Sequence, residues 1–516
     1  MAELFAPLDR LLGGGGDPRL RLNPATGANE YGCRPFPCPD TLSFASSTAT
    51  SISARAYERA GQAREALMRS AISVGIDAAF DARIEAMRDE LKNHLGLANA
   101  DVVFSPSGTD SQLHALFLTR ALLGPALTTI IVAADQTGSG TAYTARGCHF
   151  SAATAQGSPV QKSEPVAGLA HSVTSVALGL LDDNGDCRPP AETDARVLAA
   201  IATSIANGAG VLLQIMDSSK LGWRAPSDQC LDEIEARWPD RVQVVVDACQ
   251  MRLGRPRLKQ YLDRGYLVLV TGSKFFTGPP FSGALLVPAD RSGTVDAIGE
   301  IAPGILHYSS RSDWPMRWQA LRSRFPIRAN FGQWLRWEAA LEEIRAYHRV
   351  PDAFRQSALA VFGEGVQRII AATPWLGLLP PQQRLGDLGL DDQELAQPTI
   401  FPFLIRQGGR ALSPAGCRKI YRALAQDARE AAAAADQEIA AKPCLVGQPV
   451  VLGRGGPDPV AVLRICAGAR LVTEAWSSDQ ELARRNLQRE LADVGAIVSR
   501  IEWLVAHIDD LHSVEA

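Results

Sequence analysis

Leu267-Val-Leu-Val-Thr-Gly-Ser-Lys-Phe-Phe-Thr277 is a short apolar run that ends in hydroxyl residues and a lysine. Similar runs recur along the chain, most of them continuous rather than alternating, and the set comprises residues 102–104, 129–133, 211–216, 242–246, 267–270 and 284–287. Continuous apolar strands are typical of a mainly parallel sheet that has helices on both faces. Helical spacing after Asp110 and over residues 231–238 and 257–266 separates several runs. The pattern predicts an α/β domain with a doubly wound, mainly parallel sheet.

The parts of the chain before this domain have a different composition. Residues 1–85 contain the glycine run 13–16 and a proline-rich polar stretch, which predict an irregular arm. Residues 54–95 then show helical spacing without an internal proline. We expect the large α/β domain to occupy residues 86–327.

The remainder, residues 328–516, predicts a smaller α+β domain. A helical region is followed by a Pro/Leu/Gly-rich link at 374–389 and a strand-like run at 398–406. The alanine run 431–435 favours a helix interior, and residues 480–507 form a closing amphipathic helix in this prediction.

Composition excludes several classes of protein. Hydrophobic residues make up 46% of the 516 residues and charged ones 21%, which is an ordinary globular balance. With 52 Lys+Arg against 56 Asp+Glu, no basic surface for nucleic acid is expected. The apolar runs are far shorter than the roughly 18 to 20 residues of a membrane span, and the start lacks the pattern of a signal peptide. Nine cysteines without paired CxxC spacing predict reduced thiols in the cytoplasm and no metal site.

One strand leads into a turn of small residues. Val102-Val-Phe-Ser-Pro-Ser-Gly-Thr-Asp110 passes from apolar residues to the start of a helix. Gly108 and Thr109 would let backbone N–H groups and the helix N-terminus approach a phosphate closely. A capped strand-to-helix turn without a ligand has the same pattern, so this segment alone leaves both interpretations open.

Two further strands end in an acid and an amine. Asp247 follows an apolar strand, at the edge where open α/β sheets bind ligands. Lys274 stands 27 positions later, after Thr271 and Ser273, and a lysine against a sheet core is costly unless it is paired or used as a nucleophile. Together with the phosphate cup, this is the set that pyridoxal 5'-phosphate (PLP) requires. The amine forms a Schiff base, the carboxylate keeps the ring nitrogen protonated, and the cup and hydroxyls hold the phosphate.

The sequence also resembles a known family, the fold-type I PLP-dependent enzymes of the class V aminotransferase, cysteine desulfurase and kynureninase group. The likeness rests on Asp247-Ala-Cys-Gln250, Thr271-Gly-Ser-Lys274 and Gly278-Pro-Pro-Phe-Ser-Gly-Ala-Leu-Leu286, and it covers roughly residues 86–475. It implies the fold-type I PLP transferase fold, with Lys274 as the internal aldimine, Asp247 as the partner of the pyridinium, and Gly108, Thr109, Thr271 and Ser273 on the phosphate.

The resemblance also assigns supporting roles. Gln250 would contact the phenolic oxygen of the cofactor, and Ser218 or Ser219 would present a polar group to its ring. Relatives stack a histidine on the ring, but this chain has none at that spacing, so Thr137 or a neighbour would cover the ring face. Arg464 would bind the α-carboxylate of the substrate with its planar fork; the alternative is a surface arginine in an ion pair.

Three other groups have two interpretations each. Cys444 could be the mobile cysteine of a desulfurase, but its neighbours favour a buried residue at the start of a strand. His149 is isolated, which favours a packed or capping role. Lys220 could supply a second ammonium to the site, with a solvated loop lysine as the default.

The sequence therefore predicts a PLP-dependent enzyme acting at Cα of an amino acid, either a class V aminotransferase or a cysteine desulfurase-like lyase. Decarboxylation and aldol-type Cα–Cβ chemistry use the same ring, and a non-catalytic binding protein that keeps the fold is a rival of another class. The resemblance implies a homodimer with shared active sites. The segment 324–333, with Arg328, Asn330 and Gln333, corresponds to the part that reaches the neighbouring site, although the Gly-Thr pair of the family is absent there.

Overall fold

The structure is a computed structural model that describes residues 2–380, 395, 397–429, 436–453 and 455–509. The alanine run 431–435 and residues 381–389 of the link lie outside these ranges. The strands are β1 (Leu42–Phe44), β2 (Ala100–Ser105), β3 (Leu127–Val132), β4 (Val173–Leu178), β5 (Gly210–Met216), β6 (Val242–Asp247), β7 (Leu267–Thr271), β8 (Gly283–Pro288), β9 (Leu376–Leu378), β10 (Ile400–Gln407), β11 (Arg410–Ala411), β12 (Cys444–Leu452) and β13 (Val460–Cys466).

The helices cover both ends of the chain and the connections between strands. They are α1 (Leu8–Leu12), α2 (Ala54–Val74), α3 (Ile76–Leu95), α4 (Gly108–Leu123), α5 (Thr141–Thr144), α6 (Pro190–Ala206), α7 (Asp228–Arg237), α8 (Arg255–Asp263), α9 (Ser292–Asp296), α10 (Gln319–Arg322), α11 (Phe331–Arg349), α12 (Asp352–Ala371), α13 (Pro414–Leu424), α14 (Gln437–Ala441), α15 (Ala469–Ala475) and α16 (Gln480–Ala506).

The large sheet has the strand order β2-β8-β7-β6-β5-β3-β4. The pairs among β3, β4, β5, β6 and β7 are parallel, whereas β8 runs antiparallel to both β7 and β2. The predicted doubly wound, mainly parallel sheet is therefore confirmed. The strand that sequence analysis missed is β4, an edge strand whose side chains are mostly half-exposed and so lack a continuous apolar run.

Successive residues of the central strands enter two different cores, which explains their continuous hydrophobicity. Val244 and Val246 of β6 belong to the larger core, which also includes residues of α8 and α11. Val245 lies in the second core, together with Leu113 and Leu116 of α4. Both faces of the sheet are thus covered by helices, as buried parallel strands require.

Three strand ends meet at one edge of this sheet. Because β2 and β7 are both antiparallel to β8, they run parallel to each other. Gly283 of β8 stands opposite Ser105 of β2 on one side and opposite Thr271 of β7 on the other. Asp247 ends β6, the next parallel strand. The topology therefore brings the cup after Ser105, the acid and the segment of Lys274 to a single edge.

The first part of the chain folds onto the last part. Strand β1 pairs in parallel with β12, in a second sheet of order β1-β12-β13-β10-β11 with β9 beside β10. The predicted helix over residues 54–95 is two helices, because Gly75 adopts a left-handed φ of 82° between α2 and α3. None of the described helices is long and apolar enough to cross a bilayer.

Buried ion pairs connect α2 and α3 to α11. The side chain of Glu338 is fully buried and pairs with Arg59 at 2.8 Å and with Arg83. Glu343, also fully buried, pairs with Arg55 at 2.5 Å. Breaking such a pair from one side leaves an uncompensated charge, so these contacts fix the position of α2 and α3.

Candidate active site

A cavity of about 450 Å³ opens at the sheet edge, between the large sheet and the second sheet. Three separate parts of the chain form its wall: the N-terminal arm, the strand ends of the large sheet, and α13 with β12 and β13. The residues singled out from the sequence that line it are Gly108, Thr109, Lys220, Asp247, Thr271, Ser273, Lys274 and Arg464.

The acid and the amine lie on this common wall, with Cys249 beside them. Asp247 is 8% exposed, and its Oδ1 accepts the backbone N–H of Cys249 at 3.1 Å. Burial and then the charge of Asp247 raise the pKa of the Cys249 thiol well above its usual value, while the nearby Lys274 ammonium lowers it. Cys249 is therefore a neutral packing residue at neutral pH. Within the described ranges, no hydrogen bond or ion pair engages Nζ of Lys274.

The turn after β2 has the geometry of an anion cup. Ser107 caps α4: its Oγ accepts the N–H of Asp110 at 3.2 Å and donates to Oδ2 of Asp110 at 2.5 Å. The N–H groups of Gly108 and Thr109, which begin the helix, have no backbone acceptor among the described residues. A Cβ on Gly108 would lie 2.6 Å from Sγ of Cys249, so glycine is required for the turn to pack this closely.

Hydroxyl groups complete the cup from the β7 side. Thr271 donates its hydroxyl to the carbonyl of Cys249 at 2.7 Å, which fixes the end of β7 against the end of β6. Ser273 is 7% exposed and lines the cavity next to Lys274. A phosphate at this point would meet backbone N–H donors, hydroxyls and the positive end of α4 together.

The N-terminal arm supplies cavity residues that sequence analysis did not assign. Arg19, Glu30, Tyr31, Ser47 and Thr48 line the cavity. Arg19 forms an ion pair with Asp17 at 2.6 Å, and its guanidinium lies over the ring of Phe281, 4.9 Å from the centroid. The arm therefore packs on its own chain and narrows the cavity.

A buried arginine holds the arm in this position. Arg336 of α11 is 1% exposed and donates to the carbonyls of Leu12 at 2.9 Å, Gly15 at 2.8 Å and Phe281 at 2.8 Å, and also to Gly14. Burial lowers its pKa to about 9. The glycine run 13–16 was the available sequence signal, since a left-handed φ at Gly15 lets the chain wrap around this guanidinium.

Arg464 is fully buried at the wall of the cavity. Its guanidinium donates to the carbonyl of Gln448 at 2.8 and 3.1 Å, to the carbonyl of Lys220 at 3.1 Å and to Oγ1 of Thr48 at 3.1 Å. No carboxylate of the described chain pairs with it, and burial lowers its pKa. Arg464 is therefore not a surface arginine in an ion pair. It is a buried cation that its hydrogen bonds hold in a fixed orientation at the wall of the cavity.

Three residues that the resemblance assigns to the cofactor ring do not line the cavity. Thr137 does not line the cavity and donates its hydroxyl to the carbonyl of Ala134 at 3.3 Å, although the adjacent Gly138 and Ser139 do line it. Ser219 donates to Oε1 of Gln136, and Ser218 lines a separate cavity of about 290 Å³. Their contacts with a cofactor stay predictions.

Gln250 does not line the cavity either, and its side chain contacts the N-terminal arm. Its Nε2 donates to the carbonyl of Ser47 at 3.0 Å, and its buried Oε1 has no partner in the described chain. Ser47 itself lines the cavity, so Gln250 positions a wall residue in this structure. Its contact with a phenolic oxygen stays a prediction.

Two residues with open interpretations lie away from the cavity. Nδ1 of His149 lies 2.7 Å from the hydroxyl of Tyr308, in a stacked packing contact. Cys444 is buried at the first position of β12, opposite Leu42 of β1, and burial raises its pKa to about 11. Both side chains are therefore packed against neighbouring residues, which is one of the two interpretations that the sequence left open for each.

The segment expected to reach a partner makes contacts within its own chain. Arg328 donates to the carbonyl of Leu306 at 2.9 Å, and Asn330 donates to the carbonyl of Gly15 at 3.1 Å. Gln333 donates to Oδ1 of Asp313 at 2.9 Å. Ile327 in the same segment is 59% exposed.

Comparison with known proteins reveals likeness in structure only. No family model and no curated sequence matches the chain. The pyridoxamine-pyruvate aminotransferase from Mesorhizobium loti superimposes with a TM-score of 0.50 at 15% identity, over 91% of this chain and 97% of that one. The glutamate decarboxylase domain of diaminobutyrate-pyruvate transaminase and L-2,4-diaminobutyrate decarboxylase from Vibrio parahaemolyticus has a TM-score of 0.50 at 14% identity, over 91% and 81%. The chain has the fold-type I architecture of these proteins.

Proposed function

We propose that this chain is a PLP-dependent enzyme that acts at Cα of an amino acid, as a class V-type aminotransferase or a cysteine desulfurase-like lyase. The observation that carries the proposal is that an amine, a carboxylate and an anion cup, from three strand ends, line one cavity. A lysine beside a sheet core without a partner is expensive to keep unless its amine reacts.

The residues of the cavity fit the cofactor. The cup provides N–H groups of Gly108 and Thr109 without backbone acceptors, with the hydroxyl of Ser273 nearby, for a phosphate. Asp247 is suited to the ring nitrogen and Lys274 to the aldehyde. The volume of about 450 Å³ is within the range of small-molecule sites.

When bound, PLP supplies an aldehyde that captures amines and a protonated ring that accepts an electron pair. Asp247 would hold the proton on the ring nitrogen. Nζ of Lys274 would hold the cofactor at its aldehyde carbon and would take or return the proton at Cα of the substrate. Arg464 would bind the α-carboxylate and thereby orient the bonds of Cα. The arm, with Tyr31, would exclude water from one side.

The test is covalent trapping. The protein is incubated with PLP, reduced with borohydride and digested, and the modified lysine is located by mass spectrometry. We expect the cofactor mass on Lys274 and its absence in Lys274→Ala. Lys220→Ala is the matched control, because Lys220 is another lysine of the same cavity and its loss should leave labelling unchanged. Label on a different lysine, or none, contradicts the proposal.

Product analysis separates the reaction classes. Keto acid indicates transamination, sulfide or ammonia indicates elimination, and carbon dioxide indicates decarboxylation. The fold does not choose among them, since an aminotransferase and a decarboxylase domain superimpose equally well. A protein that is trapped with PLP but turns over no amine would be the non-catalytic rival.

The assembly and location are part of the same proposal. We infer a homodimer with shared active sites, and the exposed Ile327 in the segment 324–333 supports a contact there. All nine cysteines are free thiols in this structure, which supports a reducing compartment such as the cytoplasm. Sedimentation of the wild type and of Ile327→Asp tests the dimer, which the charge should dissociate.

A further inference from the structure

We propose that Arg19 of the N-terminal arm binds the phosphate of PLP, so that the arm supplies the cation for the anion cup of its own chain. The inference rests on the proposed function and adds a phosphate-binding residue to that site. It arises from the wall of the cavity on which Arg19, Gly108 and Thr109 lie together.

The ring of Phe281 places Arg19 near the cup. The guanidinium carbon of Arg19 lies 4.9 Å from the centroid of this ring. Phe281 precedes Gly283 by two positions, and a Cβ on Gly283 would lie 2.8 Å from the nitrogen of Gly108, the first residue of α4. Arg19 therefore packs on the segment that touches the cup.

A second ring gives the same placement. The guanidinium carbon of Arg19 lies 5.7 Å from the centroid of Phe150. Phe150 and Thr109 are both packed against Gly140, because a Cβ on that glycine would lie 3.4 Å from Cβ of Phe150 and 2.5 Å from Cγ2 of Thr109. The two rings that hold Arg19 thus adjoin the first two residues of α4.

The electrostatics of this region agree with that position. Burial raises the pKa of Asp110, the third residue of α4, and the positive charge of Arg19 opposes this shift. Burial by itself would lower the pKa of Arg19, but its neighbours Tyr31, Asp17 and Asp110 raise the pKa above its usual value. Arg19 is therefore within electrostatic reach of the N-terminus of α4.

Asp17 holds the guanidinium of Arg19 in a fixed orientation. Nε donates to Oδ1 and Oδ2 of Asp17 at 2.9 and 3.1 Å, and Nη2 donates to Oδ2 at 2.6 Å. These bonds use the edge formed by Nε and Nη2, so the N–H groups of Nη1 are directed away from Asp17. Because a guanidinium has five N–H donors in a rigid plane, it can bind a buried carboxylate on one side and a phosphate on the other.

The charge of the cofactor phosphate requires such a cation. The N-terminus of a helix such as α4 provides roughly half a positive charge, whereas a phosphate monoester carries about −1.5 to −2 at neutral pH. The other described cations of the cavity are positioned elsewhere: Lys220 follows β5, Arg418 and Arg422 lie on α13, and Arg464 lies on β13. Lys274 is needed for the aldehyde. The described contacts thus place Arg19 at the cup.

The experiment compares PLP with pyridoxal, which has the same ring and aldehyde but no phosphate. Each is titrated into the protein without cofactor and followed by visible absorbance, so the ratio of the two Kd values measures the contribution of the phosphate. Arg19→Ala should raise the Kd of PLP about tenfold or more, because a hydrogen bond to a charged group is lost, and should leave the Kd of pyridoxal unchanged.

Two further variants make the test specific. Arg21→Ala is the matched control, because it removes another arginine of the arm at an exposed position that is not among the described residues lining the cavity. Arg19→Ala leaves the fully buried carboxylate of Asp17 without its ion pair. The double variant Asp17→Asn/Arg19→Gln removes both charges and leaves no unpaired carboxylate, and we expect it to change the ratio of Kd values as Arg19→Ala does.

An unchanged ratio in both Arg19 variants, an equal rise of the Kd for PLP and pyridoxal, or the same change of the ratio in Arg21→Ala would each overturn the inference. Failure of the proposed function is recognised separately, because borohydride would then trap neither PLP nor pyridoxal on Lys274 of the wild type.

Discussion

Replacing Gly283 by alanine should damage the phosphate cup without removing any of its donors. Gly283 of β8 lies between the ends of β2 and β7, directly against the turn that forms the cup. A Cβ at this position would lie 2.3 Å from the carbonyl carbon of Ser107, 2.5 Å from its oxygen and 2.8 Å from the nitrogen of Gly108. All three are backbone atoms, which a rotamer change cannot move.

The size of the effect follows from these distances. Ordinary contacts begin at 3.4 Å, so the turn or the strand must shift by roughly 1 Å. Overpacking of this kind costs about 1 to 3 kcal/mol in the free energy of unfolding. A shift of the cup also weakens at least one charged hydrogen bond to phosphate, worth about 1.5 to 3 kcal/mol. The Kd for PLP should then rise roughly 10- to 100-fold.

The assay combines urea denaturation of the protein without cofactor with titration of PLP followed by visible absorbance. Gly495→Ala serves as the control: its Cβ would meet nothing within 4 Å, and it lies inside α16. Alanine there should stabilise the protein by about 0.5 to 1 kcal/mol and leave PLP binding unchanged. If Gly283→Ala bound PLP like the wild type and unfolded at the same urea concentration, the close packing of β8 against the cup would be wrong.

Three further predictions concern buried groups. Burial and the charge of Asp17 raise the pKa of Asp110 to about 7, so the folded protein without cofactor binds a proton more tightly than the unfolded chain does. The free energy of unfolding should therefore fall by about 4 kcal/mol as the pH rises from about 4 to 7. Denaturation measured at each pH should show that Asp110→Asn removes this dependence on pH. Iodoacetamide should label the exposed Cys187 in the native protein and leave Cys444 unmodified, because Cys444 is buried and its pKa is about 11. Mass spectrometry measures the labelling, and rapid labelling of Cys444 would contradict its burial. Arg336→Leu leaves the carbonyls of Leu12, Gly14 and Phe281 without this donor and should lower the free energy of unfolding by about 3 to 5 kcal/mol, with the arm cleaved first in limited proteolysis. A wild-type urea midpoint would contradict this.

Local sequence patterns were sufficient for the sheet and for the centre of the site. The runs around Asp247 and Lys274 are continuous because alternate residues enter two cores, and that property is visible without knowing the partners. Parallel strands present their carboxyl ends at the same edge, so the acid and the amine were expected to meet there. The edge strand β4 has no continuous run and was therefore missed.

The distant walls of the cavity depended on tertiary structure. The glycine run 13–16 predicts an irregular arm, but it does not indicate that Arg19 and Tyr31 return to the sheet edge, because a buried arginine of α11 more than 300 residues away holds the arm there. Gln250, which the resemblance assigns to the phenolic oxygen of the cofactor, contacts the arm at Ser47, and its contact with the cofactor stays a prediction.

The sequence by itself thus determined every strand of the large sheet except the edge strand β4, and that Asp247, Lys274 and the glycine turn share one edge, because burial pattern and strand direction are properties of short segments. Only the tertiary structure decided that the arm and α13 enclose this edge. These contacts join segments hundreds of residues apart, and their pairing depends on shape and charge complementarity that no local periodicity encodes.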